Sequence, residues 1–169
     1  ASGNGGFEMI VLAPATVQEA VDLTYKAFDL ADRDRNPVLI LADGVIGTMM
    51  EPVELPEMKS EEEVAAIRES KKKWVCIGHE LDLPNRSWIE PGQWDTNKMQ
   101  CVNEEAAALY ASWEKDVMVE EYCTEDAEVV IAAYGISGRI AKSVVEMMRA
   151  EGKKVGLIRP ITVHPFPKA

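Results

Sequence analysis

The sequence predicts an α/β fold assembled from two small parallel-sheet units, and three observations carry that expectation. Two well-separated stretches each read as apolar strand, amphipathic helix and apolar strand: residues 7–14, 16–35 and 37–44, then residues 127–135, 137–152 and 154–162. The strand segments are nearly continuous apolar runs (IVLAP, VLILA, EVVIAA, VGLI) rather than alternating ones, the pattern of parallel strands covered on both faces. Each helical segment opens on a capping residue, and for strands that run parallel a right-handed crossover is the expected connection.

The elements follow in order. Thr16 and Glu19 form a T-x-x-E capping box before Val17, Ala20, Val21, Thr24, Ala27, Phe28 and Ala31, which recur at helical spacing. Ser60 and Glu63 repeat the box, and the helix they open runs from an acidic start to Lys71-Lys72-Lys73, as the helix dipole favours. Residues 74–92 hold Trp, Pro, Gly and Asn, predicting an irregular segment with a short strand at 74–77. A helix is expected from an N-cap at Asn103, with Ala106, Leu109, Tyr110, Trp113 and Val117 packing the connector onto one of the units. In the second unit Ser137 is the expected N-cap. Ile140, Ala141, Val144, Val145 and Met148 form the inner stripe, and Gly152 is the left-handed residue ending the helix. The expected division is 1–59, a connector over 60–125, and 126–169.

Composition narrows the function. A net charge of −11, from 29 acidic against 18 basic residues, repels phosphate backbones and anionic headgroups, so neither nucleic acid nor a membrane is an expected partner. No apolar run reaches the ~20 residues of a spanning helix, and a cytoplasmic protein is expected. Cys76, Cys101 and Cys123 are spaced too widely for a CxxC clip, so free thiols are expected. With His79 and His164 as the only histidines, no metal site is expected on this chain alone. The chain starts without Met, close to an apolar strand, and stops just after another. Since one helix on two strands leaves a sheet face and both edges bare, the chain reads as a fragment whose strands at 38–42 and 129–133 meet other subunits or copies.

Two loops are candidates for function. Asp43, Gly44 and Gly47, followed by Glu51, lie past the carboxyl end of a parallel strand, where open α/β sheets place ligands. Asp-Gly is also a common turn, and Met49-Met50 fits core or interface alike. Ser137, Gly138 and Arg139 sit where a strand turns into a helix, a place for anion contact or simply a helix start. That turn lacks the second glycine of a G-x-S-x-G elbow, and its two glycines do not make G-x-G-x-x-G. His164, in HPFP, reads as a residue that fixes a loop. No complete catalytic set is visible, so no catalytic residue is assigned.

The stretches IVLAPATVQEAVDLTYKAFDLADRDRNPVLILADGVIGTMMEPVELP and AEVVIAAYGISGRIAKSVVEMMRAEGKKVGLIRPITVHPFP resemble the α subunit of 2-oxoacid:ferredoxin oxidoreductases. Asp43-Gly44 and Met49-Met50-Glu51-Pro52 look most like the 2-oxoisovalerate (3-methyl-2-oxobutanoate, branched-chain) type. The resemblance implies the later half of a thiamine-enzyme pyrimidine-binding domain followed by the start of a transketolase C-terminal-like domain. It implies oxidative decarboxylation of a branched 2-oxoacid to its acyl-CoA, with electrons passed to ferredoxin. Thiamine diphosphate and magnesium would belong to the assembled complex and iron-sulfur clusters to other subunits, with none held by this chain alone. The family's activating Glu and YPITPS-like segment have no match here, so the matched residues include no catalytic one. Partners so implied are the other subunits of a hetero-oligomer, ferredoxin indirectly, the 2-oxoacid and coenzyme A. Two rivals stand beside this reading. One is a transketolase-like or 2-oxoacid dehydrogenase β-type subunit that passes its acyl group to lipoamide. The other is a non-catalytic α/β assembly module.

Overall fold

A helix that must return the chain to a neighbouring parallel strand needs a firm start, and Thr16 supplies it: its hydroxyl accepts the Glu19 amide at 3.1 Å. The computed structural model describes residues 6–72, 74–75 and 95–168. Strand β1 (Ile10–Leu12), helix α1 (Val17–Asp34) and strand β2 (Val38–Ile40) form the first crossover, with Ile10 opposite Val38 in parallel register. Strand β4 (Val129–Ala132), helix α5 (Gly135–Ala150) and strand β5 (Val155–Pro160) form the second, again parallel. Between them lie α2 (Gly44–Thr48), α3 (Glu61–Lys71), α4 (Thr96–Ser112), a 3-10 turn (Trp113–Asp116) and β3 (Val119–Tyr122), and β6 (Thr162–His164) comes last.

Both crossovers are as the sequence predicts, but each sheet gains an antiparallel third strand that it did not. The orders are β2-β1-β6 and β3-β5-β4, with β6 antiparallel to β1 and β3 antiparallel to β5. The central strands are the buried ones, β1 throughout and β5 except at Ile158. The outer strands β2 and β4 are not covered on both faces: Leu39 is 40% and Val129 60% exposed. Their apolar wording therefore reflects sheet edges that nothing in the described residues covers.

Three helix details also differ. The buried residues of α1 are Leu23, Ala27 and Leu30, while Phe28 is 71% exposed. The core stripe is thus rotated from the expected one, because Leu23, Ala27 and Leu30 at i, i+4 and i+7 bring the larger side chains inward. Helix α4 begins at Thr96, placing Asn103 inside it rather than at its cap. Helix α5 begins at Gly135 with Tyr134 as N-cap, placing Ser137 in its first turn. The cause is backbone geometry: Gly135 adopts φ +58, a left-handed conformation that costs glycine little and turns the chain into the helix before Ser137 is reached. At the other end Gly152, with φ +81, closes the helix as expected. Its amide bonds Arg149 O and the Lys153 amide bonds Met148 O, a Schellman arrangement. Of the expected inner stripe Ala141 and Val145 are buried against Val155 and Leu157, whereas Ile140 is on the outside.

The first core gathers Ile10, Leu12, Leu23, Ala27, Leu30 and Trp113, with Leu109 and Tyr110 against it. The expected packing of the later connector onto a crossover unit is therefore found. Trp113 is fully buried, and its indole N–H donates to Asp34 Oδ2 at 2.9 Å, which satisfies the polar edge of a large apolar anchor. His164 closes β6, edge-on to the Trp113 ring and 2.9 Å from Glu8 Oε2, before a cis peptide to Pro165.

The chain divides into two units, Ala1–Pro56 with Glu105–Ala169, and Glu57–Glu104. In the second unit the Ser60–Glu63 box is complete: Glu63 N–H donates to Ser60 Oγ at 3.2 Å and Ser60 N–H to Glu63 Oε2 at 2.7 Å. Of the strand expected at 74–77, Trp74 and Val75 are not strand, and the remainder lies outside the described residues, as do Cys76 and His79. Cys101 and Cys123 are free thiols.

Candidate functional site

Parallel strands aim their following loops to one end of a sheet, and here loops from both sheets meet. The turn after β1 (Pro14), the residue capping α2 after β2 (Asp43) and the first residue of α5 after β4 (Gly135) converge. A Cβ placed on Gly135 would lie 3.8 Å from Pro14 O and 3.9 Å from Asp43 Oδ2. The other Asp43 oxygen, Oδ1, accepts the Val45 and Ile46 amides at 2.8 and 3.0 Å. Asp43 is thus an N-cap and a wall of the crevice at once. Gly44 and Gly47 border open space.

Beside this crevice lies a cleft of about 270 Å³ walled by Glu19, Glu120, Gly138, Arg139, Lys142 and Arg159, among others. Arg159 projects from near the C-terminal end of β5 with its side chain only 5% exposed. Its NH1 and NH2 donate to Glu19 Oε2 and Oε1 at 3.0 and 2.6 Å, and its Nε donates to Glu120 Oε2 at 2.5 Å. Glu120 Oε1 also accepts from Lys142 Nζ at 2.5 Å, and that ammonium sits 4.7 Å from the Tyr122 ring centre. Arg139 NH2 donates to Glu51 Oε1 at 2.6 Å, while Glu51 Oε2 receives the Val17 amide at the start of α1 at 3.4 Å.

The electrostatics follow from these partners. Burial disfavours the charged form of Glu120, yet hydrogen bonds from Lys142 and Arg159 outweigh it and hold the carboxyl below its usual range. Burial likewise works against charge on Arg159, and Glu19 and Glu120 more than restore it. The Arg139 hydrogen bond, helped by the Val17 amide, holds Glu51 low. Three cations face three carboxylates, so the cleft is electrically balanced and joins structural elements rather than attracting an anion.

Sequence-predicted residues are brought together in an unforeseen way. Glu51 of the first loop pairs with Arg139 of the second. Ser137 is exposed on the first turn of α5, and the Gly138 amide is spent within the helix on Tyr134 O at 3.1 Å. Gly138 has a steric role: a Cβ there would stand 2.6 Å from Arg159 Cδ. Sequence reasoning missed Glu120, Lys142 and Arg159. A usable signal existed, since an arginine inside an apolar strand demands buried carboxylate partners. Glu19 was expected to close the capping box, but its carboxylate instead takes the Ala15 amide, at 2.8 Å, together with Arg159.

Residues 4–122 match the family described as pyruvate flavodoxin/ferredoxin oxidoreductase, thiamine diP-bdg. The chain belongs to this family. Residues 127–169 match pyruvate:ferredoxin oxidoreductase core domain II. The ketoisovalerate oxidoreductase subunit VorB of Methanothermobacter marburgensis is 45% identical over 98% of this chain and 45% of its own length. The 2-oxoglutarate synthase subunit KorA of Methanocaldococcus jannaschii is 30% identical over 97% of the chain and 49% of its own. The chain thus spans about half the length of these curated relatives. A solved 2-oxoglutarate:ferredoxin oxidoreductase from Magnetococcus marinus superposes with a TM-score of 0.68 at 19% identity, covering 98% of this chain and 32% of that one. This likeness establishes the α/β fold. The expected 2-oxoacid:ferredoxin oxidoreductase family is therefore correct and its members are oxidoreductases, whereas the ketoisovalerate relatives carry the subunit name VorB in place of the α expected from the sequence.

Proposed function

We propose that this chain is the counterpart of part of a VorB-type subunit, contributing to oxidative decarboxylation of a branched 2-oxoacid to its acyl-CoA with reduction of ferredoxin. The observation that carries the proposal is the 45% identity to a ketoisovalerate oxidoreductase subunit across nearly the whole chain. Identity to the 2-oxoglutarate relatives is lower, 26% to 30%, which favours the branched substrate. The reading divides the chain into a pyrimidine-binding-like part over 1–59, a connector over 60–125 and the start of a transketolase C-terminal-like part over 126–169. Among the described residues no helix is long and apolar enough to cross a membrane, and a cytoplasmic complex accords with that.

The described residues do not by themselves fit a thiamine diphosphate and magnesium site. Arg139, Lys142 and Arg159 each already face a carboxylate, and no group of three His, Cys, Asp or Glu among the described residues is arranged to hold a metal ion. A diphosphate entering the cleft would have to displace Glu51 or Glu120 from its cation, leaving a carboxylate with a lost partner beside new negative charge. In this reading the cofactor and its magnesium are held in the assembled complex by other residues, and iron-sulfur clusters by other subunits. The chain's own contribution is a wall of the crevice: Asp43, Gly44, Gly47 and Glu51 face a partner or the active-site entrance. Arg139, through Glu51, ties the opposing helix start to this wall, and Gly138 leaves room there for Arg159. The exposed edges β2 and β4 are the surfaces offered to other subunits.

The test is electron-acceptor specificity of the complete complex. With coenzyme A present, 3-methyl-2-oxobutanoate should reduce ferredoxin or viologen faster than pyruvate or 2-oxoglutarate does. Transfer to lipoamide instead would establish the dehydrogenase-type rival, and no turnover of any 2-oxoacid would establish the assembly module.

A further inference from the structure

The family matches divide the chain between residues 122 and 127, and among the described residues the Lys and Arg ion pairs that cross this division are sorted by sign. Glu19, Glu51, Glu114 and Glu120 lie before it, and their partners Arg159, Arg139, Lys168 and Lys142 lie after it. The sequence shows the same bias: residues 127–169 carry seven Lys or Arg against three Asp or Glu, leaving eleven against twenty-six for residues 1–126. Within this set Arg159 alone is buried, and it alone bridges two carboxylates on different elements, α1 and β3. It lies against Gly138, where any side chain would collide with it.

The carboxylate that Arg159 grips has a second task. Glu19 Oε2 also receives the Ala15 amide, at 2.8 Å, so the guanidinium acts on the β1–α1 turn through one intervening side chain. That turn carries Pro14, which faces Gly135 at the start of α5 across the crevice. We infer that Arg159 is a positioning residue: by forking between Glu19 and Glu120 it sets the β1–α1 turn against the start of α5 and so fixes the width of the crevice. Lysine cannot replace it, since a single ammonium lacks the planar fork that bonds two carboxylates at once.

Two measurements test this, and only the second rests on the proposed function. In the chain itself, hydrogen exchange read by NMR compares the Ala15 amide with the Val145 amide, which sits in the other core. Arg159→Met should speed exchange at Ala15 by about tenfold or more relative to Val145, and Arg159→Lys should give an intermediate value. Equal changes at both amides, or none at Ala15, would overturn the inference. In the complete complex Arg159→Lys should lower kcat by about tenfold or more with KM for the 2-oxoacid within about twofold, as misplacement of a wall without loss of contacts predicts. Wild-type turnover of Arg159→Lys would also overturn it. If the wild-type complex turns over no 2-oxoacid, the proposed function fails while the exchange experiment still decides the role of Arg159. Should Arg159→Met fail to fold, Arg159→Lys carries both measurements.

Discussion

Replacing Gly138 with Ala should destabilise the chain, and the same replacement should become nearly neutral once Arg159 is removed. The added Cβ would stand 2.6 Å from Arg159 Cδ, 3.0 Å from its Cγ and 3.1 Å from Ala133 O. The arginine cannot swing aside, because both ends of its guanidinium are held by Glu19 and Glu120. Overpacking of this kind costs about 1–3 kcal/mol. Against it stands the helix preference for Ala over Gly, up to about 1 kcal/mol, leaving a net loss of up to about 2 kcal/mol. Arg159→Ala alone leaves two carboxylates with a lost partner, a loss of about 3–5 kcal/mol. In that background the two nearest contacts, both with Arg159, are gone and Ala133 O at 3.1 Å remains, so Gly138→Ala should fall within about 0.5 kcal/mol of zero or stabilise. Urea unfolding of the wild type, both single variants and the double variant gives the four midpoints and slopes needed. The coupling energy should be about 1 kcal/mol or more. A Gly138→Ala loss of equal size in both backgrounds would refute the argument that this glycine exists to make room for the arginine.

Other outcomes follow from the same geometry. Because Glu120 is held below the usual carboxylate range in the folded chain, its contribution is complete above that range and is lost as pH falls through the folded value. The stability gap between wild type and Glu120→Gln should therefore shrink between neutral and strongly acidic pH in urea titrations, and a gap that stays constant would contradict the assigned partners. Isothermal titration of the chain with thiamine diphosphate and magnesium should show binding weaker than about 1 mM, and a micromolar constant would mean that the cations of the cleft are available after all. Asp43→Asn keeps the α2 cap, which Asp43→Ala loses at about 0.5–2 kcal/mol. If Asp43 faces a partner or the active-site entrance, Asp43→Asn should leave stability near wild type while lowering turnover of the complete complex. Turnover equal to wild type would reduce Asp43 to a helix cap.

The parts of this fold that were legible in the sequence are those decided by local chemistry. Thr16, Ser60 and Gly152 each act within a few residues of themselves, through a cap or a left-handed turn, and each does what its type predicts. The apolar runs likewise announced β1, β2, β4 and β5. What could not be read locally was decided across the chain. Strand β6 is three residues long, too short for a period, and exists because Val11 and Leu12 offer it a partner. Strand β3 follows directly on a helix and a 3-10 turn in an acidic stretch, so its alternation is masked until β5 pairs with it. The site shows the same division more sharply. Glu19 satisfies the wording of a capping box, and its true partner lies 140 positions away. Arg159 interrupts an otherwise apolar strand, a local anomaly that predicts buried counter-charges without saying which ones. Only the fold selects Glu19 and Glu120 from among 29 acidic residues. Since the supplying segments match two separate family regions, the balance of the cleft belongs to their association and not to either segment alone.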